Sequence, residues 1–166
     1  MATVNLTDFD GLDIKNICGN GYDSPTENHC AHFVCHALDL DFGYTCKKAK
    51  GGSSSAANLR VHELFAKCPK VGKWADKPAG VVLAFVTAAG NVQLAAHTMS
   101  NVPNKHVGIF CDLYIWNYHN AFDKVAKETV SAFESRFNIA YGKSAALFYG
   151  TLPAGSNTVT AVASGA

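Results

Sequence analysis

The stretch ENHCAHFVCHALDL, residues Glu27–Leu40, constrains the fold of this chain more than any other segment. Its apolar residues recur at the i, i+3, i+4, i+7, i+8 spacing of one helix face, at Cys30, Phe33, Val34, Ala37 and Leu38. Pro25 and Asn28 belong to residue types that favour a helix start, and Gly43 follows as a stop signal. The pattern therefore predicts an amphipathic helix with Cys30 in its first turn.

The position of Cys30 suggests a chemical role. The first turn of a helix has unpaired backbone N–H groups and the positive end of the helix dipole, both of which favour an anion. A thiolate in such a place has a lowered pKa and is the nucleophilic form of cysteine. We therefore expect Cys30 to be a nucleophile with a lowered pKa. The alternative is that Cys30 is one more small apolar residue of the buried stripe.

Length and charge exclude several classes of protein. A chain of 166 residues with a net charge of +1 has no basic field for nucleic acid, and no apolar run reaches membrane-spanning length. The first residues lack the basic and apolar regions of a secretory signal. We expect a monomer that is synthesised in the cytoplasm, with one domain over residues 1–154 and a flexible tail over residues 155–166.

The cysteines and histidines do not form a familiar metal motif. The six cysteines include no CxxC pair, and one or two disulfides among those other than Cys30 remain open. His29, His32 and His36 lie on the predicted first helix, but no carboxylate or cysteine at standard spacing completes a ligand set. We therefore expect no metal and no cofactor, and we assign these histidines to a solvated helix face.

The elements predicted after the first helix change from helical to extended. They are, in chain order, a helix over residues 56–67, strands over 80–87, 92–96, 106–111 and 113–118, a helix over 129–137 and a strand over 145–149. The strands at 106–111 and 113–118 predict an antiparallel hairpin joined at Asp112. Helices followed by an antiparallel sheet define an α+β fold.

A cysteine nucleophile needs a base, and the base needs a group that orients it. His106 is the best-placed histidine because it opens a strand after a loop that contains Pro103. In the next strand, Asn117 and His119 share one face, so either side chain can hold the His106 imidazole in one tautomer. The alternative is a half-exposed His106 with no catalytic role.

Three blocks of the sequence resemble motifs of the NlpC/P60 peptidases and follow the order of that family. CAHFV at residues 30–34 resembles the family's CSGFV helix start, and HVGIF at 106–110 resembles its HVGIY strand. PAGVVLAF at residues 78–85 is similar to the family's PGDLVFF strand. The resemblance implies a papain-like NlpC/P60 fold, with N-terminal helices packed on an antiparallel β-sheet. It also implies a cysteine peptidase or amidase that hydrolyses an amide bond in peptidoglycan stem peptides or cross-links through a thioester.

The resemblance also implies a role for each residue of the site. Cys30 matches the nucleophile, His106 the base and Asn117 the orienting residue, with His119 as the alternative third residue. Tyr22 resembles the upstream tyrosine that lines the oxyanion site, where we expect the backbone N–H of Cys30 to be the other donor.

The sequence departs from the family at the residues that flank the cysteine. His29 and Ala31 stand where the family usually has Asp and Ser, so recognition of a stem peptide's free amine is not implied. A papain-like transferase, deamidase or thioesterase acting on a lipid or protein remains an alternative, and a non-catalytic binding module is a more distant one. Small amidases of this fold include secreted toxins and phage lysins. The resemblance to these proteins also implies that the chain reaches the cell wall by a specialised export route and that an inhibitor or immunity protein is its partner.

Overall fold

The computed structural model describes residues 2–43, 45–49 and 60–163. The helices are α1 (Cys30–Leu38), α2 (Cys46–Ala49), α3 (Val61–Lys67) and α4 (Val130–Ala140). The strands are β1 (Thr3–Asn5), β2 (Val71–Lys73), β3 (Val82–Ala88), β4 (Val92–Gln93), β5 (Thr98–Met99), β6 (Lys105–Cys111), β7 (Tyr114–His119), β8 (Lys124–Thr129), β9 (Ala145–Gly150) and β10 (Thr158–Thr160). None of the helices in these ranges is long and apolar enough to cross a membrane.

A six-stranded antiparallel sheet forms the centre of the molecule. Its strand order is β2-β9-β3-β6-β7-β8, and β3 lies between β9 and β6. The run VLAFVT at the start of β3 is buried, as expected for a strand that is covered on both faces. The predicted α+β class is confirmed by this mixed architecture.

A helix packs on each face of the sheet. Val107 and Ile109 of β6 lie in the larger core together with the buried face of α1. Phe110 of β6 lies in a second core with Phe133 and Phe137 of α4. Side chains along β6 therefore alternate between the α1 face and the α4 face, as the two-residue period of a strand requires.

The predicted antiparallel pair is confirmed by the β6–β7 hairpin, but its turn includes Leu113 as well as Asp112. Asp112 and Leu113 both have positive φ values, 49° and 73°, which is typical of a two-residue type I′ turn. Leu113 thus belongs to the turn rather than to the strand. The prediction of a helix over residues 56–67 agrees with α3 at its C-terminal end, and residues 56–59 lie outside the described residues.

The structure contradicts the predictions for the C-terminal tail and for the histidines of the first helix. The tail is not flexible from residue 155, because β10 pairs in parallel with β1 and Val159 packs in the larger core. The histidines of α1 do not form a solvated face, because His29 and His32 are 0% and 1% exposed. Both rings pack on Tyr22 from the segment before α1, and His29 also packs on Tyr118 of β7, so the helical period alone could not reveal their burial. All six cysteines are free and buried.

Candidate active site

Cys30 is the first residue of α1, as the sequence predicted. Asn28, which precedes the N-cap residue His29, pairs the first N–H of the helix, since its Oδ1 accepts from the backbone N–H of Cys30 at 3.0 Å. Asn120, just beyond β7, donates from Nδ2 to the same Oδ1 at 3.1 Å and accepts from the His29 N–H at 3.0 Å. The N-terminus of α1 is therefore fixed to the end of β7. The Cys30 N–H, which we expected to bind an oxyanion, is already paired.

The Cys30 thiol lies in the gap where β7 stops pairing with β6. The last paired residues are Gly108 and Asn117, and the Val107 backbone N–H just beyond them interacts with the thiol. The thiol thus lies against the backbone of β6, and Cys30 itself belongs to the larger core on the α1 face of the sheet. Tyr141, at the end of α4, also lies close enough for Cys30 to raise its pKa in addition to burial. The thiol is thus next to the residues that flank His106.

Burial, and not the helix dipole, dominates the protonation of Cys30. The residue is 2% exposed, and desolvation raises the pKa of its thiol to about 11. The backbone N–H groups of Val107 and Ala31 and the charge of Lys105 act in the opposite direction and are weaker. The predicted lowering of this pKa is therefore wrong for the free protein. Cys30 is thus a neutral thiol at physiological pH.

His106 and Asn117 form a buried pair on the α4 face of the sheet. Nε2 of His106 is 2.9 Å from Oδ1 of Asn117, which is 0% exposed. The His106 ring packs on Phe137, with centroids 4.6 Å apart. His119, the alternative third residue, instead stacks on Phe122 at 4.1 Å. Of these two candidates, Asn117 is the one that the structure places in hydrogen-bonding distance of His106, while His119 acts on it only through its charge.

The hydrogen bonds around Asn117 determine the tautomer of His106. Asn117 donates from Nδ2 to Oε2 of Glu128 at 3.1 Å, so its other atom is the carbonyl oxygen. That oxygen also accepts from Nη2 of Arg136 at 2.9 Å. An amide oxygen only accepts, so the proton of the neutral His106 ring is on Nε2 and the lone pair is on Nδ1. The remaining ring nitrogen is therefore a base.

Glu128 and Arg136 hold this arrangement and were not identified from the sequence. Arg136 donates to both oxygens of Glu128 at 2.8 Å, a bidentate ion pair that keeps both side chains against Asn117. Burial lowers the pKa of His106 to about 3; Asn117 opposes this shift, and the Arg136 and His119 charges add to it. His106 is thus a neutral base at physiological pH. No spacing rule connects a strand-end glutamate and a helical arginine to an asparagine on another strand.

A cavity of about 350 Å³ leads to Cys30. It is lined by Tyr22, Glu27, Asn28, Cys30, Arg60, Val61, Pro103 and Lys105. The Tyr22 hydroxyl donates to Glu27 at 3.4 Å, and its ring packs on His29 and His32. Tyr22 therefore lines the same cavity as Cys30, and its role on the substrate side stays a prediction.

Within the described ranges, no hydrogen bond connects the Cys30 thiol to His106. The thiol interacts with Val107 and Lys105, which flank His106 in β6, whereas the ring of His106 packs on Phe137 on the α4 face. Comparisons of the chain with protein-family models, with curated proteins and with solved structures found no match. The site is therefore interpreted from its own geometry.

Gly108 allows the close approach of β7 that positions Asn117. A Cβ added at residue 108 would lie 2.7 Å from Ile115 Cγ2, 2.8 Å from the Trp116 carbonyl oxygen and 2.9 Å from Asn117 Cβ. We expect Gly108→Ala to lower the free energy of unfolding by about 1–3 kcal/mol, because the strands must separate to admit the methyl group. Urea denaturation measures this loss. Gly90→Ala is the matched control, since a Cβ there meets nothing within 4 Å, and equal stability of the two variants would contradict the prediction.

Proposed function

We propose that the chain is a cysteine amidase with a papain-like fold of the NlpC/P60 type. Its substrate would be an amide bond of peptidoglycan, in a stem peptide or a cross-link. The observation that carries the proposal is the His106–Asn117 contact of 2.9 Å, with the proton fixed on Nε2 and the lone pair on Nδ1. Papain-like catalysis requires this pairing of an imidazole with a polar orienting group. A cysteine at a helix N-terminus beside the histidine strand supports the same interpretation.

The proposed reaction uses a neutral thiol and a neutral imidazole. Nδ1 of His106 takes the Cys30 proton as the sulfur attacks the amide carbon, so a C–S bond forms and a tetrahedral oxyanion develops. The imidazolium then gives the proton to the leaving amine as the C–N bond breaks. Water, deprotonated by the same imidazole, hydrolyses the thioester and restores the thiol. General-base assistance is needed from the start because the pKa of the free thiol, about 11, leaves little thiolate.

Asn28 and Tyr22 are the proposed donors to the oxyanion. Oδ1 of Asn28 already accepts two hydrogen bonds, from the Cys30 N–H and from Asn120, so the group that it can offer to the cavity is its Nδ2 amide. The Tyr22 hydroxyl lines the same cavity and can exchange its bond to Glu27 for one to substrate. The sequence predicted that the Cys30 N–H would donate to the oxyanion, and we assign this role to the side chains of Asn28 and Tyr22 instead.

Digestion of purified sacculi tests the proposal. We expect the wild-type protein to release new muropeptide fragments, whose masses identify the bond that is cut, and we expect Cys30→Ala to release none. Cys35→Ala is the matched control, because Cys35 is also buried on α1 and does not line the cavity. Circular dichroism establishes that each variant is folded. Equal release by wild type and Cys30→Ala would exclude Cys30 as the nucleophile.

The flanking residue His29 favours a second candidate on the same fold. Its ring is 0% exposed and its nitrogens contact the Ser24 carbonyl oxygen and His32, so it cannot bind the free amine of a stem peptide. A transferase, deamidase or thioesterase acting on another acyl group would not require recognition of a free amine. Hydroxylamine added to the reaction separates the cases, since a transferase gives a hydroxamate in preference to the acid. Sacculi left intact by a protein that acylates hydroxylamine would favour this second function.

A further inference from the structure

Four side chains with metal-ligating atoms converge beside α1, away from the cavity that contains Cys30. They are Cys18, His32, His36 and Cys46, and their ligand atoms all lie within 4.8 Å of one another. His32 and His36 share one face of α1 because they are four residues apart. Cys18 comes from the segment before this helix, and Cys46 is the first residue of α2.

Three of the six distances between the ligand atoms are close to the edges of a tetrahedron around zinc. The two sulfurs are 3.6 Å apart, Cys46 Sγ is 3.4 Å from His36 Nε2, and the two Nε2 atoms are 3.2 Å apart. Zinc bonds of about 2.3 Å to sulfur and about 2.0–2.1 Å to nitrogen give tetrahedral edges of about 3.8, 3.5 and 3.3 Å for these three pairs. A disulfide would need the sulfurs about 2.05 Å apart, and both cysteines are free.

The hydrogen bonds of His29 leave the metal-facing nitrogen of His32 unprotonated. Nε2 of His29 is 2.7 Å from the Ser24 carbonyl oxygen, which only accepts, so the proton of this neutral ring is on Nε2. Nδ1 of His29 then accepts from Nδ1 of His32 at 3.0 Å. His32 is thereby fixed in the tautomer with a lone pair on Nε2. A hydrogen-bonded partner on the far nitrogen is the usual support of a metal-bound histidine.

Asn20 supports the two sulfurs in the same way. Its backbone N–H donates to Cys18 Sγ at 3.4 Å, and its Nδ2 donates to Cys46 Sγ at 3.1 Å. Such donors favour thiolates, the form that binds a metal. Two thiolates and a divalent ion have no net charge together, so the cluster can remain buried without an unpaired charge. A cavity of about 290 Å³ lined by His32, His36 and Cys46 provides a path for the ion.

We propose that Cys18, His32, His36 and Cys46 bind one structural zinc ion. Soft thiolates with imidazoles in a tetrahedron select zinc over magnesium or calcium, and four protein ligands leave no position for a reacting water. The ion fixes the segment before α1 and the start of α2 to the helix that begins at Cys30. The site is independent of the proposed amidase activity. It could not be predicted from the sequence because its two cysteines are 28 residues apart and do not form a CxxC pair.

Metal analysis of the full chain tests the site. We expect about one zinc per chain by mass spectrometry of metals, and intense visible bands of tetrahedral, thiolate-bound cobalt when the chain is refolded with Co²⁺. Loss of a hydrogen-bonding partner of a metal ligand weakens metal binding by about 10–100-fold. Cys18→Ser removes a ligand itself, so we expect it to weaken zinc binding by more than this. Cys68→Ser is the control, because Cys68 is equally buried and lies outside the cluster.

Three results would overturn the site. The first is a chain that contains no zinc and gives no thiolate–cobalt band after refolding. The second is a Cys18–Cys46 disulfide in the native protein, seen as a metal-free chain lighter by two hydrogens. The third is zinc affinity that is the same in Cys18→Ser and Cys68→Ser. If Cys18→Ser does not fold, the presence or absence of the thiolate–cobalt bands in the wild-type chain still tests the site.

Discussion

Replacement of His106 by alanine is expected to lower kcat/KM for amide hydrolysis by about 10⁴-fold or more. The thiol of Cys30 is neutral, so it gains its nucleophilic form only if a neighbouring base takes the proton. His106 is buried, uncharged and protonated on Nε2, so its Nδ1 lone pair is the proposed acceptor. The rate should fall mainly in kcat, because His106 does not line the cavity that leads to Cys30.

Asn117→Ala should lower the same rate by a smaller factor, on the order of 10²–10⁴. Asn117 does not exchange a proton with substrate but fixes the tautomer of His106, so some molecules with a correctly oriented ring remain. His97→Asn is the control, since residue 97 has φ 60°, which Asn tolerates, and lies outside the cavity. The measurement is the steady-state rate on the muropeptide identified by sacculus digestion. A His106→Ala rate within tenfold of wild type would assign the base to another residue.

The helix and strand patterns predicted the parts of the site that depend on local periodicity. The start of α1 at Cys30 could be predicted because capping residues and the apolar stripe are local signals. The pairing of His106 with Asn117 could be predicted because a hairpin places alternate residues of adjacent strands on one face. Each inference used residues that are close in sequence.

The rest depends on contacts between distant segments. Arg136 reaches Asn117 only because α4 crosses the sheet at this position, and the sequence of α4 does not encode that crossing. Cys18 and Cys46 come together only because the chain before and after α1 folds back onto it. The burial of Cys30 depends on the packing of several segments around it. The free-energy cost of a buried thiolate raises the pKa of Cys30, whereas the helix start alone predicted a lowered pKa. Desolvation of a group is a property of the assembled fold.

The free energy of unfolding should fall as the pH is lowered from about 6.5 towards 3, by up to about 1.4 kcal/mol per pH unit, through His106 alone. The imidazole of an unfolded chain titrates near 6.5, whereas burial lowers the pKa of His106 to about 3 in the folded protein. Between these values the unfolded state binds a proton that the folded state excludes. Stability from this group is therefore complete above about pH 6.5 and is lost as the pH falls.

The surroundings of His106 explain why it stays neutral. Arg136 from α4 and His119 from β7 oppose a charge on the ring, and Nε2 of the ring contacts the neutral amide oxygen of Asn117. The carboxylate of Glu128 on β8 is already paired with Arg136. The aromatic rings of Phe133 and Phe137 cover the remaining face. Protonation would thus place a second cation beside the guanidinium with no carboxylate free to pair with it.

Urea denaturation of wild type and His106→Gln at several pH values measures the effect. Gln retains a donor for Asn117 but does not titrate, so the stability curves should converge as the pH falls below about 6.5. Titrating groups distant from residue 106, including the histidines beside Cys18 and Cys46, are common to both proteins and cancel in the difference. Parallel curves would show that His106 takes up its proton in the folded state as readily as in the unfolded one. NMR of the His106 ring nitrogens gives an independent check, because the wild-type ring should remain in the neutral Nε2–H form at about pH 5.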